Sequence, residues 1–179
     1  MPEFTHRVAT LLDLNALHEV MRRSIETLQG SFLSPEQVRA SHKVMGLDTQ
    51  LLRDGTYVVV ECEGRIAGCG GWSWRSTLYG GDASVVDREP RRLDPTSEPA
   101  RIRAMYTDPD FARKGVGRLV LQLVEHAATQ AGFRRATLMA TMAGVPLYRS
   151  CGYVAVEPVT DVIVEGIAVP LVRMEKPIS

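Results

Sequence analysis

Apolar side chains recur at three- and four-residue spacing in two long stretches of the chain, which is the pattern of an amphipathic helix. The first stretch covers residues 14–28, where Asp13 is placed to cap the helix and Gly30 to end it. The second covers about 115–130 and ends at Gly132. We therefore expect two long helices that each bury one face.

Two shorter helices are indicated by the residues at their ends. Residues 34–42 begin with Ser34 as the cap, Pro35 at the first helical position and Gln37 at the capping-box position. Residues 144–153 open near a proline and stop at a glycine. Both segments are therefore predicted to be helical.

Runs of β-branched and apolar residues between turn signals predict strands. Glu63-Gly64 and Glu165-Gly166 are placed as tight turns between neighbouring strands. The predicted strands are 4–8, 55–64, 65–74, 101–107, 134–141, 153–163 and 167–176. Strand–helix–strand units toward the C-terminal half predict an α/β (α+β) fold.

Residues 75–100 interrupt this pattern with three prolines, two adjacent glycines and many charges. A connection of 26 residues is long for a compact domain. Such a connection is usually a functional loop or a disordered one.

Composition narrows the class of protein without identifying it. The chain has 179 residues, so we expect a single domain over 1–179. Lys plus Arg and Asp plus Glu both number 21, and this balance argues against a nucleic-acid binder that relies on bulk positive charge. No apolar run approaches the roughly 18 residues of a membrane span, and the N-terminus lacks the pattern of a signal peptide.

The residues that commonly hold metals or form disulfides are sparse. Cys62, Cys69 and Cys151 are odd in number and form no Cys-x-x-Cys pair, so a reducing cytoplasm is the simpler prediction. The four histidines show no metal-ligand spacing, and we therefore expect no metal.

The start of the second long helix combines glycines with positive charge. Arg113, Lys114 and Arg118 surround Gly115 and Gly117, although basic side chains oppose the dipole of a helix at its N-terminus. The first amides of a helix have no partner inside it and form an anion site, which glycines let a ligand approach closely. A bound phosphate group would therefore explain the charges.

A solvated turn is the alternative, with Asp108 and Asp110 balancing the charge. Two better-known phosphate motifs do not fit. The chain has no P-loop sequence, and the dinucleotide fingerprint would need a glycine where Val120 stands. The ligand therefore stays open on spacing alone.

The neighbouring residues supply a resemblance. The segment "MYTDPDFARKGVGRLVLQLVEHAATQAGFRRATLMAT" and the "PLYRSCGY" after it resemble the acyl-CoA-binding core of the GNAT superfamily of N-acetyltransferases. The match is strongest over residues 101–156, and the elements on either side follow the family order. The family's glycine signature begins with Gln or Arg, where this chain has Ala112.

The resemblance implies a mixed, mostly antiparallel twisted sheet of six to seven strands, flanked by about four helices. Strands 101–107 and 135–140 would splay apart to hold acetyl-CoA, the co-substrate. Backbone amides would bind its pyrophosphate and the strand edge its pantetheine arm. The residues implied in cofactor binding are Met105, Tyr106, Thr107, Ala112, Arg113, Lys114, Gly115, Val116, Gly117 and Arg118.

The resemblance also implies catalytic roles. Tyr148 occupies the position of the family's tyrosine acid and would donate to the leaving thiolate, and a backbone N–H near Tyr106 would stabilise the oxyanion. The general base is left open. Its candidates, each of which also fits an ordinary surface position, are Glu26, Tyr79, Asp82 and Glu98.

The resulting prediction is a cytoplasmic N-acetyltransferase that acts on the primary amine of a small molecule by direct attack in a ternary complex. The long loop over 75–100 would lie near the acceptor. A protein acetyltransferase, acting on lysine or an N-terminus, and a non-catalytic acyl-CoA sensor are the alternatives. Trp72 and Trp74 fit an acceptor pocket, core packing or a homodimer surface equally well.

Overall fold

The predicted fold class is confirmed, and most of the chain is built on one sheet. The structure is a computed structural model that describes residues 2–85 and 91–179. Within these residues the sheet has eight strands in the order β1-β2-β3-β4-β5-β8-β6, with β7 also paired to β8. The strands are β1 Thr5–Val8, β2 Tyr57–Cys62, β3 Arg65–Ser73, β4 Ala100–Thr107, β5 Arg135–Thr141, β6 Val154–Ala155, β7 Thr160–Val164 and β8 Ile167–Pro177.

The described residues form five α-helices, one more than the sequence predicts. They are α1 Leu14–Leu28, α2 Pro35–Ser41, α3 Thr49–Arg53, α4 Val116–Gln130 and α5 Val145–Ser150. The capping box of α2 is present, since the Gln37 amide donates to Ser34 Oγ at 3.2 Å and the Ser34 amide donates to Gln37 Oε1 at 2.9 Å. The additional helix, α3, is too short for its pattern to be read from the sequence.

Two local predictions need correction. Asp13 stands at the N-cap position of α1 but makes no capping hydrogen bond, because its carboxylate pairs with Arg7 and with the Thr10 amide. The strand predicted over 153–163 is broken into β6 and β7. The break contains Pro158, which has no N–H to donate to a ladder.

The two predicted tight turns are confirmed. Glu63 and Gly64, between β2 and β3, have φ of 51° and 74°. Glu165 and Gly166, between β7 and β8, have φ of 50° and 81°. Positive φ at both central residues matches the right-handed twist of the paired strands, so these turns close hairpins without splaying them.

Glycines in β3 let α4 lie close to the sheet. A Cβ at Gly68 would lie 2.4 Å from Val116 Cγ1, and one at Gly70 would lie 2.8 Å from Val120 Cγ1. The space that these glycines leave is filled by the buried face of α4. The glycines that weaken the strand propensity of β3 therefore set the distance between helix and sheet.

The sheet opens between β4 and β5. These parallel strands pair only at Ala100–Ala136 and Arg101–Thr137 and then diverge. β5 is held on its other side by β8 along residues 135–141. The splay implied by the resemblance for 101–107 and 135–140 is therefore present.

β4 is also irregular on its β3 side. Arg103 lies opposite Gly71, and Tyr106 lies opposite Cys69, so Ala104 and Met105 together face the single residue Gly70. Ala104 has φ of 51°, a conformation that is uncommon for a residue with a side chain. A β-bulge therefore lies in the strand that borders the opening.

The base of the long 75–100 connection is ordered by backbone pairing. The Ser76 amide donates to the Arg91 carbonyl at 2.8 Å, and the Leu93 amide donates to the Trp74 carbonyl at 2.7 Å. Trp72 is buried against Phe133, so core packing explains it, and residues 86–90 of the connection lie outside the described residues. In the described part of the chain, no helix has the length and apolar character that a membrane crossing needs.

We predict that Gly68→Ala lowers the free energy of unfolding by about 1–3 kcal/mol, because its methyl group would overpack the contact with Val116. Gly30→Ala is the control, since a Cβ at that exposed position meets nothing within 4 Å, and we expect a change within about 0.5 kcal/mol. Urea unfolding measures both. Equal stability of the two variants would contradict the close helix–sheet contact.

Candidate active site

A cleft of about 580 Å³, including its mouth, lies at the opening between β4 and β5. It is bordered by β4, β5, β8 and α5 and by the segments before α3 and after β3. Its lining among the described residues is Met45, Gly46, Leu78, Tyr79, Gly80, Ile102, Arg103, Ala104, Met105, Tyr106, Leu138, Met139, Thr141, Tyr148 and Leu171.

The N-terminus of α4 offers amides to a ligand. Its N-cap is Gly115, which has φ of 83° and no side chain to cap the first turn, and the first turn contains no acidic residue. The loop residues 113–115 are exposed. Free first-turn amides at the positive end of a helix dipole form a site for an anion.

The basic residues of this loop are placed beside that end. Lys114 Nζ donates to the Asp110 carbonyl at 3.0 Å and lies 5.4 Å from the centre of the Phe111 ring. Arg118 Nη2 donates to Ser150 Oγ at 3.0 Å, and Arg113 is exposed with φ of 60°. The positive charges therefore surround the exposed loop, and one of them also links α4 to α5.

The start of α4, the end of β4 and α5 converge at Gly117. A Cβ at Gly117 would lie 2.8 Å from Leu147 Cδ2 and 3.6 Å from Thr107 Oγ1. Close packing with α5 is therefore a reason for this glycine in addition to the approach of a ligand. It brings the predicted cofactor-binding segments 105–107 and 112–118 next to the helix that carries Tyr148.

Tyr148 lies on α5 and lines the cleft, with 8 % of its surface exposed. Burial, with a smaller contribution from Cys151, raises the pKa of its phenol above the usual value. Its ring packs edge-on against Tyr153 at 5.9 Å, and a Cβ at Gly144 would lie 2.8 Å from Tyr148 Cε2. The ring is therefore fixed, and its hydroxyl stays protonated at neutral pH.

A buried carboxylate fixes the turn that leads from β4 to the loop. The side chain of Asp108 is 5 % exposed, pairs with Arg23 of α1 at 2.7 Å and accepts from the Asp110 amide at 2.9 Å. Arg65 of β3 bridges the two carboxylates, at 3.4 Å from Asp108 and 2.8 Å from Asp110. Because Asp108 is buried, these partners stabilise its charge and hold the turn against α1 and β3.

The opposite side of the cleft contains a buried cation. Arg103 donates to the Gly80 carbonyl at 2.7 Å and pairs with Asp48 at 3.2 Å, and both charged side chains are at most 5 % exposed. Tyr106 donates to the Gly46 carbonyl at 3.3 Å. The segments before α3 and after β3 are thereby held against β4, where they form one wall of the cleft.

Only Tyr79 of the four candidate bases lines the cleft among the described residues. Glu26 pairs with Arg22 at 2.6 Å on the exposed face of α1, and Asp82 accepts from the Thr49 amide. Glu98 binds Arg91 and the Asp94 amide, which lower the pKa of its carboxyl to about 2. A carboxyl with so low a pKa is a weak proton acceptor.

Several residues of this region could not be found from the sequence. Arg103, Tyr57 and Ala104 take part in buried contacts that join segments far apart in the chain. Cys151 is partly buried and lies 3.9 Å from Ser150 Oγ. Within the described residues, no group of three or more His, Cys, Asp or Glu side chains is arranged to hold a metal ion.

Comparison with known families gives one match that covers most of the chain. A family model described as the acetyltransferase (GNAT) family matches residues 21–153. No curated protein sequence matches the chain. The matched residues include the opening between β4 and β5, the start of α4 and Tyr148.

Solved structures with the same fold span nearly the whole chain. A GCN5-related N-acetyltransferase from Rhodopseudomonas palustris has a TM-score of 0.67 at 19 % identity and covers 99 % of this chain and 96 % of its own. The phosphinothricin acetyltransferase of Sinorhizobium meliloti, in complex with AcCoA, has a TM-score of 0.63 at 19 % identity. The match covers 98 % of this chain and 88 % of its own. The ribosomal-protein-S18-alanine N-acetyltransferase of Escherichia coli has a TM-score of 0.60 at 17 % identity. The match covers 99 % of this chain and 95 % of its own.

We predict that Gly117→Glu abolishes measurable binding of coenzyme A, because it places a carboxylate in the first turn of α4, where phosphate groups would bind. Gly117→Ala is the matched control. It introduces the same Cβ close to Leu147 without the charge, and we expect an affinity within about tenfold of the wild type, a difference of about 1.4 kcal/mol. Calorimetric titration with coenzyme A measures both. Wild-type affinity in the glutamate variant would refute the site.

Proposed function

The chain belongs to the GNAT acetyltransferase family, and from this premise we propose that it transfers the acetyl group of acetyl-CoA to the primary amine of a small molecule. The reaction proceeds by direct attack of the amine in a ternary complex. The observation that carries the proposal is the cleft between β4 and β5, which Tyr148 lines. The start of α4, which has no side-chain cap, packs at Gly117 against Leu147 of the same helix α5.

The residues present fit an acyl-CoA molecule. The amides at the start of α4 would bind the pyrophosphate, with Arg113, Lys114 and Arg118 as neighbouring positive charges. The edge of β4 over 105–107 is free of β5 and would pair with the amides of the pantetheine arm, as a peptide adds to a sheet edge. The acetyl group would then lie in the cleft beside the β4 bulge.

The chemistry requires a neutral amine, a stabilised oxyanion and a protonated leaving group. The amine nitrogen attacks the thioester carbonyl and loses its proton to solvent, because the described lining of the cleft contains no carboxylate and no histidine. A backbone N–H of the bulge donates to the oxyanion. As the C–S bond breaks, Tyr148 donates its proton to the sulfur of coenzyme A.

The acceptor side of the cleft supports a small molecule. Leu78, Tyr79 and Gly80, from the beginning of the long connection, form part of its wall, and they lie against the segment that contains Met45 and Gly46. A Cβ at Gly81 would meet the Gly46 carbonyl carbon at 2.7 Å. This close contact joins the two segments into one wall, and we propose that the cleft they border takes a compact acceptor.

The reducing cytoplasm remains the proposed compartment. Cys62, Cys69 and Cys151 are free thiols, and two of them are buried. Free thiols are the ordinary state of cytoplasmic proteins.

A two-step experiment tests the proposed function. Acetyl-CoA and coenzyme A should each raise the melting temperature, because a ligand of the native state stabilises it by RT ln(1 + [L]/Kd), and ATP should not. Release of free thiol is then followed over a panel of primary amines and of peptides. Stabilisation by ATP alone would refute the site, turnover only with peptides would favour a protein acetyltransferase, and binding without turnover would favour a sensor.

We predict that Tyr148→Phe lowers kcat by about tenfold to a thousandfold, since it removes the proton donor to the thiolate. The Kd for acetyl-CoA should change by less than about threefold, because the phosphate-binding amides are unaltered. Tyr153→Phe is the matched control, as it removes a buried hydroxyl that donates to Glu125, outside the cleft. An unchanged kcat in the Tyr148 variant would exclude the role.

The pH profile gives an independent check on the same residue. Because burial raises the pKa of Tyr148, the hydroxyl remains a proton donor where an ordinary tyrosine would begin to ionise. We expect kcat/KM to rise with pH as the amine loses its proton, with no descending limb between about pH 8 and 10. A descending limb in this window that is absent from Tyr148→Phe would contradict the raised pKa.

A further inference from the structure

The β4 bulge is held by a buried tyrosine from another strand. Tyr57 of β2 is fully buried, and its hydroxyl donates to the Ala104 carbonyl at 2.6 Å. A carbonyl only accepts hydrogen bonds, so the phenol proton must lie between the Tyr57 hydroxyl oxygen and the Ala104 carbonyl oxygen. Ala104 is also the residue with φ of 51°, and the bond therefore stabilises a strained peptide.

The path of the Tyr57 ring fixes the direction of that peptide. The ring passes Gly71 of β3, where a Cβ would lie 2.7 Å from Tyr57 Cδ2, and reaches Ala104 from the β3 side. A trans peptide is planar, with its C=O and N–H pointing in opposite directions. The Met105 N–H is therefore directed away from β3, toward the gap between β4 and β5.

The strand register gives Met105 no Cα partner in either neighbouring strand. Met105 has no partner in the register of β3, and β4 pairs with β5 only at residues 100 and 101. Met105 also lines the cleft. Its amide is thus placed where the carbonyl oxygen of a bound thioester would need a donor.

The surroundings of Tyr57 keep it a neutral donor. Burial raises the pKa of its phenol well above the usual value. The adjacent Cys69 thiol is also buried, and desolvation raises its pKa to about 12. Neither group ionises at neutral pH, so Tyr57 keeps the proton that it donates to the Ala104 carbonyl.

We infer that Tyr57 is a positioning residue of the acetyl-transfer site: by holding the Ala104 carbonyl it aims the Met105 N–H at the thioester carbonyl of acetyl-CoA. This inference rests on the proposed function, because it assigns a role within the same cleft. Tyr57 lies on β2 and touches neither substrate. It acts on the site only through the Ala104–Met105 peptide, whose carbonyl it holds.

Tyr57→Phe tests the inference, since it removes the hydroxyl and keeps the ring in the core. The readout is the carbonyl stretching frequency of [1-¹³C]acetyl-CoA bound to the protein, measured by isotope-edited infrared difference spectroscopy. A hydrogen bond to the carbonyl lowers this frequency. We expect the wild type and the control Tyr153→Phe to share one lowered band, and Tyr57→Phe to shift toward a higher frequency.

Kinetics with an amine accepted by the wild type provide the second readout. We expect Tyr57→Phe to lower kcat by about tenfold to a hundredfold, less than the loss of a whole oxyanion donor, with KM for acetyl-CoA changed by less than about threefold. If the substitution disturbed only the packing, the kcat of Tyr57→Phe would instead match that of Tyr153→Phe, which also loses a buried phenol hydrogen bond.

An unchanged carbonyl band and kcat in folded Tyr57→Phe would overturn the inference. If the single variant does not fold, Tyr57→Phe combined with Ala104→Gly relieves the strain at positive φ and is expected to fold with the same shifted band. An unshifted band in the double variant would also overturn it. Failure of the wild type to bind acetyl-CoA would refute the proposed function instead, so the two failures are distinguishable.

Discussion

The separation of β4 from β5 is the structural constraint that creates the cleft. A sheet normally pairs each strand along its length, yet these two strands pair at only two positions and then separate. Backbone groups at an unpaired edge inside a protein need partners. A ligand that carries amides and a thioester can supply them, and the opening therefore explains why the cleft is suited to acyl-CoA.

Close backbone and helix contacts keep the opening in place. On one side, α4 rests on β3 through Gly68 and Gly70, and α5 reaches the start of α4 through Leu147 and Gly117. These contacts bring the N-terminus of α4 and the helix that carries Tyr148 to the same edge of β4. If acetyl-CoA binds as proposed, the same packing would set the positions of its phosphate groups and of the proton donor to its thiolate.

The other side of β4 is fixed by buried polar groups. Arg103 binds Asp48 and the Gly80 carbonyl, while Tyr57 binds the Ala104 carbonyl within the bulge. The adjacent residues Arg103 and Ala104 thus join β4 to the segments around Asp48 and Gly80 and to the core around Tyr57. Buried hydrogen bonds of this kind are costly to leave unpaired, which makes the local geometry of β4 well defined.

The sequence predicted the elements that local chemistry determines. The capping box at Ser34, the positive-φ turns at Gly64 and Gly166 and both long helices depend on residues near each other in the chain, and the structure confirms them. Tertiary contacts could not be predicted in this way. The strained Ala104 carries no signal of its own, because its conformation depends on a tyrosine 47 positions earlier.

A crystal structure with bound acetyl-CoA would show directly where that molecule lies. We predict that the diphosphate lies within about 3 Å of the first amides of α4. This placement also puts the thioester between β4 and β5, with its sulfur facing Tyr148 and its carbonyl facing the Met105 N–H. Acetyl-CoA bound elsewhere, with the gap between β4 and β5 unchanged, would contradict it.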